Sequence, residues 1–214
     1  MTARSLLLAW GWAFAVLGGL AQGAEPARPW TFQGGLWAGA CLSQVHGDGV
    51  SGFNKLGGTA GPWIQVRNQP DRGWELGIVW TQKGSRRVPN PRAGDYFTWR
   101  YRFTYIDLPL SRVRDLGDWG WVSAGLQASY LLNAEEDYNQ TGYAPVTYLR
   151  LKPWDLGGTA GMGLHVTDHM DFHVRMSQSL LPISPRPDQP IIQWDNFMMN
   201  LAIQAMWVVR WEGN

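Results

Sequence analysis

Tyr96–Leu110 reads YFTWRYRFTYIDLPL. Phe97, Trp99, Tyr101, Phe103 and Tyr105 share one parity; Thr98, Arg100, Arg102 and Thr104 share the other. A period of two is a β-strand, with five aromatics on one face and two arginines on the other. A helix would mix the two sets around its circumference. Such a strand needs an apolar environment on one side and a polar one on the other. A soluble sandwich with the aromatics inside supplies that. So does a membrane barrel with the aromatics against lipid and the arginines in the lumen. The rest of the chain favours the barrel.

The chain has 214 residues, enough for one sizeable domain, and a net charge of +1, which is no electrostatic footprint for nucleic acid. Mean hydropathy is −0.24, and beyond the first twenty-odd residues no long apolar run occurs. That excludes a helical membrane protein but not a membrane barrel, whose alternating strands keep the mean low. The N-terminus, MTARSLLLAWGWAFAVLGGLAQGAEP, has Arg4 as a short positive region, an apolar core from Ser5 to Leu20 and small residues at Ala21 and Gly23. These are the parts of a secretory signal peptide cleaved near Gly23 or Ala24, which makes 1–23 the signal and 24–214 the barrel domain. Cys41 is the single cysteine, so the chain has no internal disulfide.

From Trp30 onward the sequence divides into eight alternating segments: about 30–42, 56–67, 73–83, 96–110, 119–132, 154–167, 170–181 and 196–211. About ten residues is the length a tilted membrane strand needs. Pro62 removes one ladder hydrogen bond, which predicts a bulge in the second segment. Connections after the first, third, fifth and seventh segments are long, and those after the second, fourth and sixth are short. In an up-and-down antiparallel barrel the odd connections all lie at one end, and long loops opposite short turns is the layout of outer-membrane barrels. The apolar parity then faces lipid, and the polar parity fills an interior too narrow for an open channel.

The candidate functional residues are those of this interior: Glu75, Arg100, Arg102, Asp155, His165, Asp171, His173 and Arg175. Buried charges must pair, so acids and bases together predict a salt-bridged lumen network. His165, Asp171 and His173 flank the two-residue turn Asp168–His169, at the inner end of the barrel, away from where a lipid substrate would lie. Glu135, Glu136 and Asp137 form an acidic run in the longest loop, read as solvated rather than as a cation site. No catalytic residues, Walker loop, zinc spacing, nucleophile elbow or cofactor motif emerges. LGGTAG occurs twice, at Leu56–Gly61 and Leu156–Gly161, each time where a strand descends from a long loop. The end of the chain, Gln204–Trp211, alternates and finishes in an aromatic. It resembles the terminal signal read by the outer-membrane insertion machinery, with Met206 where glycine is usual and Glu212–Asn214 beyond the final aromatic.

Several stretches carry a family resemblance: SQVHGDGVSGFNKLG (Ser43–Gly57), TQKGSRR (Thr81–Arg87), YIDLPL (Tyr105–Leu110), YLLNAEED (Tyr130–Asp137) and the glycine-rich sixth strand. With these the chain resembles the PorT-like family of small outer-membrane β-barrels of Gram-negative bacteria, Asp107 standing where that family has Glu. The resemblance implies an eight-stranded barrel in the outer membrane and no particular chemistry. Its named member is associated with a protein-secretion apparatus. The expected fold is therefore an all-β, eight-stranded antiparallel transmembrane barrel in the bacterial outer membrane. Its expected role is structural, adhesive or accessory, without catalysis. Its expected partners are outer-membrane lipid and lipopolysaccharide, the insertion machinery and a secretion apparatus. An accessory subunit of a secretion assembly, a lipid-modifying barrel enzyme and a soluble periplasmic ligand-binding barrel remain the alternatives.

Overall fold

A computed structural model describes residues 30–184 and 197–212. Residues 1–23, expected to be the signal peptide, and most of the connection between the last two segments lie outside the described residues. The strands are β1 Thr31–His46, β2 Lys55–Gln69, β3 Arg72–Gly77, β4 Val79–Lys83, β5 Arg86–Arg87, β6 Trp99–Asp115, β7 Gly120–Tyr138, β8 Ala144–Pro145, β9 Trp154–Thr167, β10 Met170–Ser179 and β11 Met199–Glu212. β3 and β4 are one stave interrupted at Ile78, and β5 and β8 are short additions at the long-loop end. The staves pair antiparallel with their sequence neighbours, and β1 also pairs with β11, so eight staves close into a ring. Closure removes every unpaired edge, which a sheet in hydrocarbon requires. The chain is an eight-stranded antiparallel barrel.

The short turns join β2 to β3, β6 to β7 and β9 to β10, and define the periplasmic end. Outward positions carry the apolar set, for example Leu36 and Leu42 on β1, Ile64 on β2, Leu108 and Leu110 on β6, and Met162 and Leu164 on β9, all exposed. One outward row runs across four staves as Trp80, Ile106, Tyr130 and Trp154, each paired with the next. With the Tyr130 and Trp154 rings 4.8 Å apart, it forms the outer aromatic girdle. Trp74, Trp119 and Trp211, all exposed, lie toward the periplasmic end.

Two sequence expectations need correction. Pro62 makes no bulge: the β1–β2 register runs through it without a shift. It accepts a hydrogen bond from Ile78 N (3.0 Å) but has no N–H to return, and this missing bond splits β3 from β4. The second correction concerns the aromatic strand. Tyr101, Phe103 and Tyr105 are at most 2% exposed and belong to the interior. Arg100, Arg102 and Thr104 share the outer face with Ile106, Leu108 and Leu110. The aromatics therefore face the lumen, and the arginines face out. β6 has 17 residues and β7 has 19, far more than the membrane needs, so their upper ends stand clear of the hydrocarbon. There an outward arginine costs nothing in lipid, and inward aromatics can close the barrel mouth.

Candidate functional site

From the periplasmic end upward, the lumen is a stack of side-chain layers. A cavity of about 410 Å³ opens at the bottom, lined by Gln33, Arg67, Asp115, His165, Arg210 and their neighbours. Arg67 grips Asp115 with two N–H groups, one of them a very short contact. His165 Nδ1 lies 2.8 Å from Asp171 Oδ1, and Arg210 Nη2 lies 3.3 Å from the same oxygen. These groups form a paired ring of charge around the mouth.

Above it Trp37 stacks on Trp63 at 5.9 Å, His173 sits 4.4 Å from the ring of Trp121, and the Arg175 guanidinium lies 4.7 Å over Trp37. Space for these indoles comes from glycines. A Cβ on Gly77 would stand 2.3 Å from Trp37, and one on Gly163 would stand 2.3 Å from Trp121. Arg175 donates through Nε to Gln204 Oε1 (2.8 Å), and Gln204 Nε2 donates to Thr59 and Thr81. One layer higher, Lys83 Nζ donates to Asp107 Oδ1 at 2.9 Å, both side chains at most 2% exposed. Asp155 Oδ2 accepts from Ser179 Oγ (2.8 Å) and Asn200 Nδ2 (3.0 Å).

The top layer is apolar. Val45, Tyr101, Phe103, Tyr105, Ile183 and Met198 cluster there, and Trp99, Val146, Leu149 and Leu151 pack against them. The segment bearing the last three is pinned by Tyr148, whose hydroxyl lies 2.6 Å from Tyr101 Oη and donates to Glu136 Oε2 at 2.7 Å. The polar column thus ends beneath a hydrophobic cap.

Of the eight predicted network residues, the structure buries Glu75, Asp155, Asp171, His173 and Arg175 in the lumen and sets His165 at its periplasmic mouth. Arg100 and Arg102 are not in the network. They lie on the outer face above the girdle, where Arg102 bonds Glu135 (2.7 Å) and Arg100 bonds Asp137. The acidic run is therefore committed rather than solvated: Glu135 and Asp137 go to arginines, and Glu136 goes to Tyr148. The pairing inside the lumen also differs from the expected one. Among the described residues, neither Glu75 nor Arg175 makes a direct ion pair, and the salt bridges there use Asp107, Asp115 and Arg210, none of them among the eight predicted network residues. Their signal was positional, since each lies on the inward parity of its strand.

The loop residues are simpler. Asp48 Oδ1 accepts from Val50 N (2.8 Å), and burial pushes its carboxyl up to about 6. Gln44 Nε2 lies 3.3 Å from His46 Nε2. Among the described residues no cluster of His, Cys, Asp and Glu is arranged to hold a metal ion.

Comparison with known proteins agrees with this geometry. Two solved barrels align over nearly their whole length. Ail, the attachment invasion locus protein of Yersinia pestis, in complex with the heparin analogue sucrose octasulfate, is 12% identical with a TM-score of 0.52; the match covers 85% of this chain and 99% of that one. Neisserial surface protein A is 14% identical with a TM-score of 0.52, again covering 85% and 99%. At these identities the likeness is one of fold. No curated protein matches significantly. Residues 10–184 match the outer membrane protein beta-barrel domain family, so the chain is a member of that family and a protein of the bacterial outer membrane.

Proposed function

We propose that this barrel works through its extracellular rim, in a structural, adhesive or accessory role, and neither conducts through its lumen nor catalyses a reaction. One observation carries this reading. The outer end of the lumen is filled by the Tyr101–Phe103–Tyr105 cluster and its strap, while β6 and β7 project past the girdle with charged side chains on their outer face. A wide polar pore would be expected of a channel, and a nucleophile or acid–base pair at the outer rim would be expected of a lipid-modifying enzyme. The His165–Asp171 pair sits at the opposite end. Residues 1–23 serve this reading as a cleavable export signal.

An accessory role in a secretion or transport assembly is the second reading. Three of the four quoted stretches that resemble the PorT-like family, Ser43–Gly57, Thr81–Arg87 and Tyr130–Asp137, meet at this outer rim, where a partner would read them.

The experiment displays the barrel on a non-adherent Gram-negative laboratory strain. The wild type is compared with a variant whose 84–98 loop is replaced by a short turn, and folding of both is checked by heat-modifiable gel migration. Adhesion to cell-surface glycans, or a larger complex in mild detergent, should be lost with the loop while the barrel stays folded. Steady conductance of the wild type in a planar bilayer would refute the reading.

A further inference from the structure

Arg86, Arg100 and Arg102 stand on the outward face of the barrel at its extracellular end. Arg100 and Arg86 are cross-strand partners at the β5–β6 pairing, and Arg102 follows on the same face of β6. Arg86 is exposed, and its side chain makes no hydrogen bond or ion pair among the described residues. Among the described residues, two carboxylates answer these three cations: Glu135 on Arg102 and Asp137 on Arg100. The patch therefore carries a surplus of positive charge.

The same contacts fix its geometry. A guanidinium has five N–H donors. Arg100 uses one on Asp137, and Arg102 uses two nitrogens on Glu135. Several donors per arginine stay open, while the carboxylates hold the planes in place. The ring of Tyr143 adds a second support, 3.7 Å from Arg102 and 5.7 Å from Arg100. An arginine held this way is suited to phosphate, which it can grip with two parallel hydrogen bonds.

Position names the source of the phosphate. Arg102 lies four residues above Ile106 in the aromatic girdle, on the lipid-facing side of the stave. At about 3.4 Å per residue and a tilt near 40°, that is roughly 10 Å above the girdle, in the headgroup layer. A side chain there points sideways at neighbouring lipids rather than up at soluble ligands.

We propose that Arg86, Arg100 and Arg102, with Tyr143 as their platform, bind the phosphorylated sugar headgroup of an outer-leaflet glycolipid of the lipid A type. This goes beyond the rim function proposed above and does not depend on it: it is read from lipid binding by point variants of a barrel with all its loops, not from adhesion or complex formation.

The test is native mass spectrometry of the detergent-solubilised mature barrel, titrated with bisphosphorylated lipid A and with its dephosphorylated form. The wild type should prefer the phosphorylated lipid at least tenfold, with the preference falling as salt rises. R86A/R102Q should lose most of that preference. R92A, which removes an exposed arginine of the same loop that makes no contact with the cluster, should stay within twofold of wild type. Should R102Q fail the heat-modifiability check, R86A alone should still weaken binding threefold or more. Equal binding of the two lipids, or a phosphate preference that survives in folded R86A/R102Q or in R86A, overturns the proposal. So does binding of a soluble sulfated oligosaccharide at these residues with no lipid preference, which would make the patch a glycan receptor instead.

Discussion

Removing Asp107 should leave the most costly orphan in the barrel. Its carboxylate accepts the Lys83 ammonium at 2.9 Å in a layer sealed above by the aromatic cap, with neither side chain more than 2% exposed. Breaking a buried pair by deleting one partner costs about 3–5 kcal/mol, because the remaining charge stays desolvated and unpaired. The Tyr105 ring, 4.9 Å from Lys83 Nζ, retains part of that attraction in the variant. We therefore expect Asp107→Ala to destabilise by about 3 kcal/mol, toward the lower end. Lys83→Met with Asp107→Leu removes both charges at similar volume and should lie within about 1.5 kcal/mol of wild type, since replacing a whole buried pair by apolar groups is often nearly neutral. Reversible urea unfolding of the barrel in phospholipid vesicles gives both numbers, and coincident unfolding and refolding curves establish equilibrium. The reasoning fails if Asp107→Ala costs less than 1 kcal/mol, roughly a surface substitution. It also fails if the double variant loses as much as Asp107→Ala, because the layer would then need the charges themselves.

The inverted face of β6 makes a paired prediction: Leu108→Arg should cost about 2–4 kcal/mol in bilayer unfolding, whereas Arg102→Leu should cost under about 1. Equal penalties would return the arginines to the lumen. Gly77→Ala should destabilise by about 1–3 kcal/mol, because its Cβ would stand 2.3 Å from Trp37, while Gly34→Ala, whose Cβ meets nothing closer than 3.4 Å, should be tolerated. A thermal shift of the same size for both would show that Trp37 is not held by that gap. Burial raises the Asp48 carboxyl to about 6, so protonation favours the packed loop: its stabilisation is complete below the ordinary carboxylate value near 4 and is lost as pH rises through about 6. The full shift corresponds to about 3 kcal/mol at most. Thermal stability of the wild type should fall across that range relative to that of Asp48→Asn.

The barrel was legible because its two strongest signals do not depend on exact boundaries. Alternation survives an error of several residues, and so does the contrast between two-residue turns such as Asp168–His169 and loops such as 139–153. Facing is more fragile, because a period of two says which residues belong together and leaves open which set meets lipid. In Tyr96–Leu110 the aromatics were the louder set, and they misled. The answer lay further down the same strand. Asp107, Ser111 and Asp115 share the parity of Tyr101, Phe103 and Tyr105, while Ile106, Leu108 and Leu110 share that of Arg100 and Arg102. The lower half crosses the hydrocarbon, where an aspartate on the lipid face is expensive, so it fixes the face of the whole stave. The upper half obeys a different solvent. Above the girdle the outer face meets polar headgroups and water and the inner face is a dry cap, so apolar-out becomes apolar-in without any break in the alternation. Pairing was less legible than facing for a related reason. Lys83 finds Asp107 across the β4–β6 ladder, and Asp171 collects both His165 and Arg210 from the two strands beside it. Such partners depend on register between staves, which the bulges at Thr104/Tyr105 and Met170/Asp171 shift by a residue. A sequence read strand by strand carries the layers of this lumen, and only the closed ring says which charges within a layer touch.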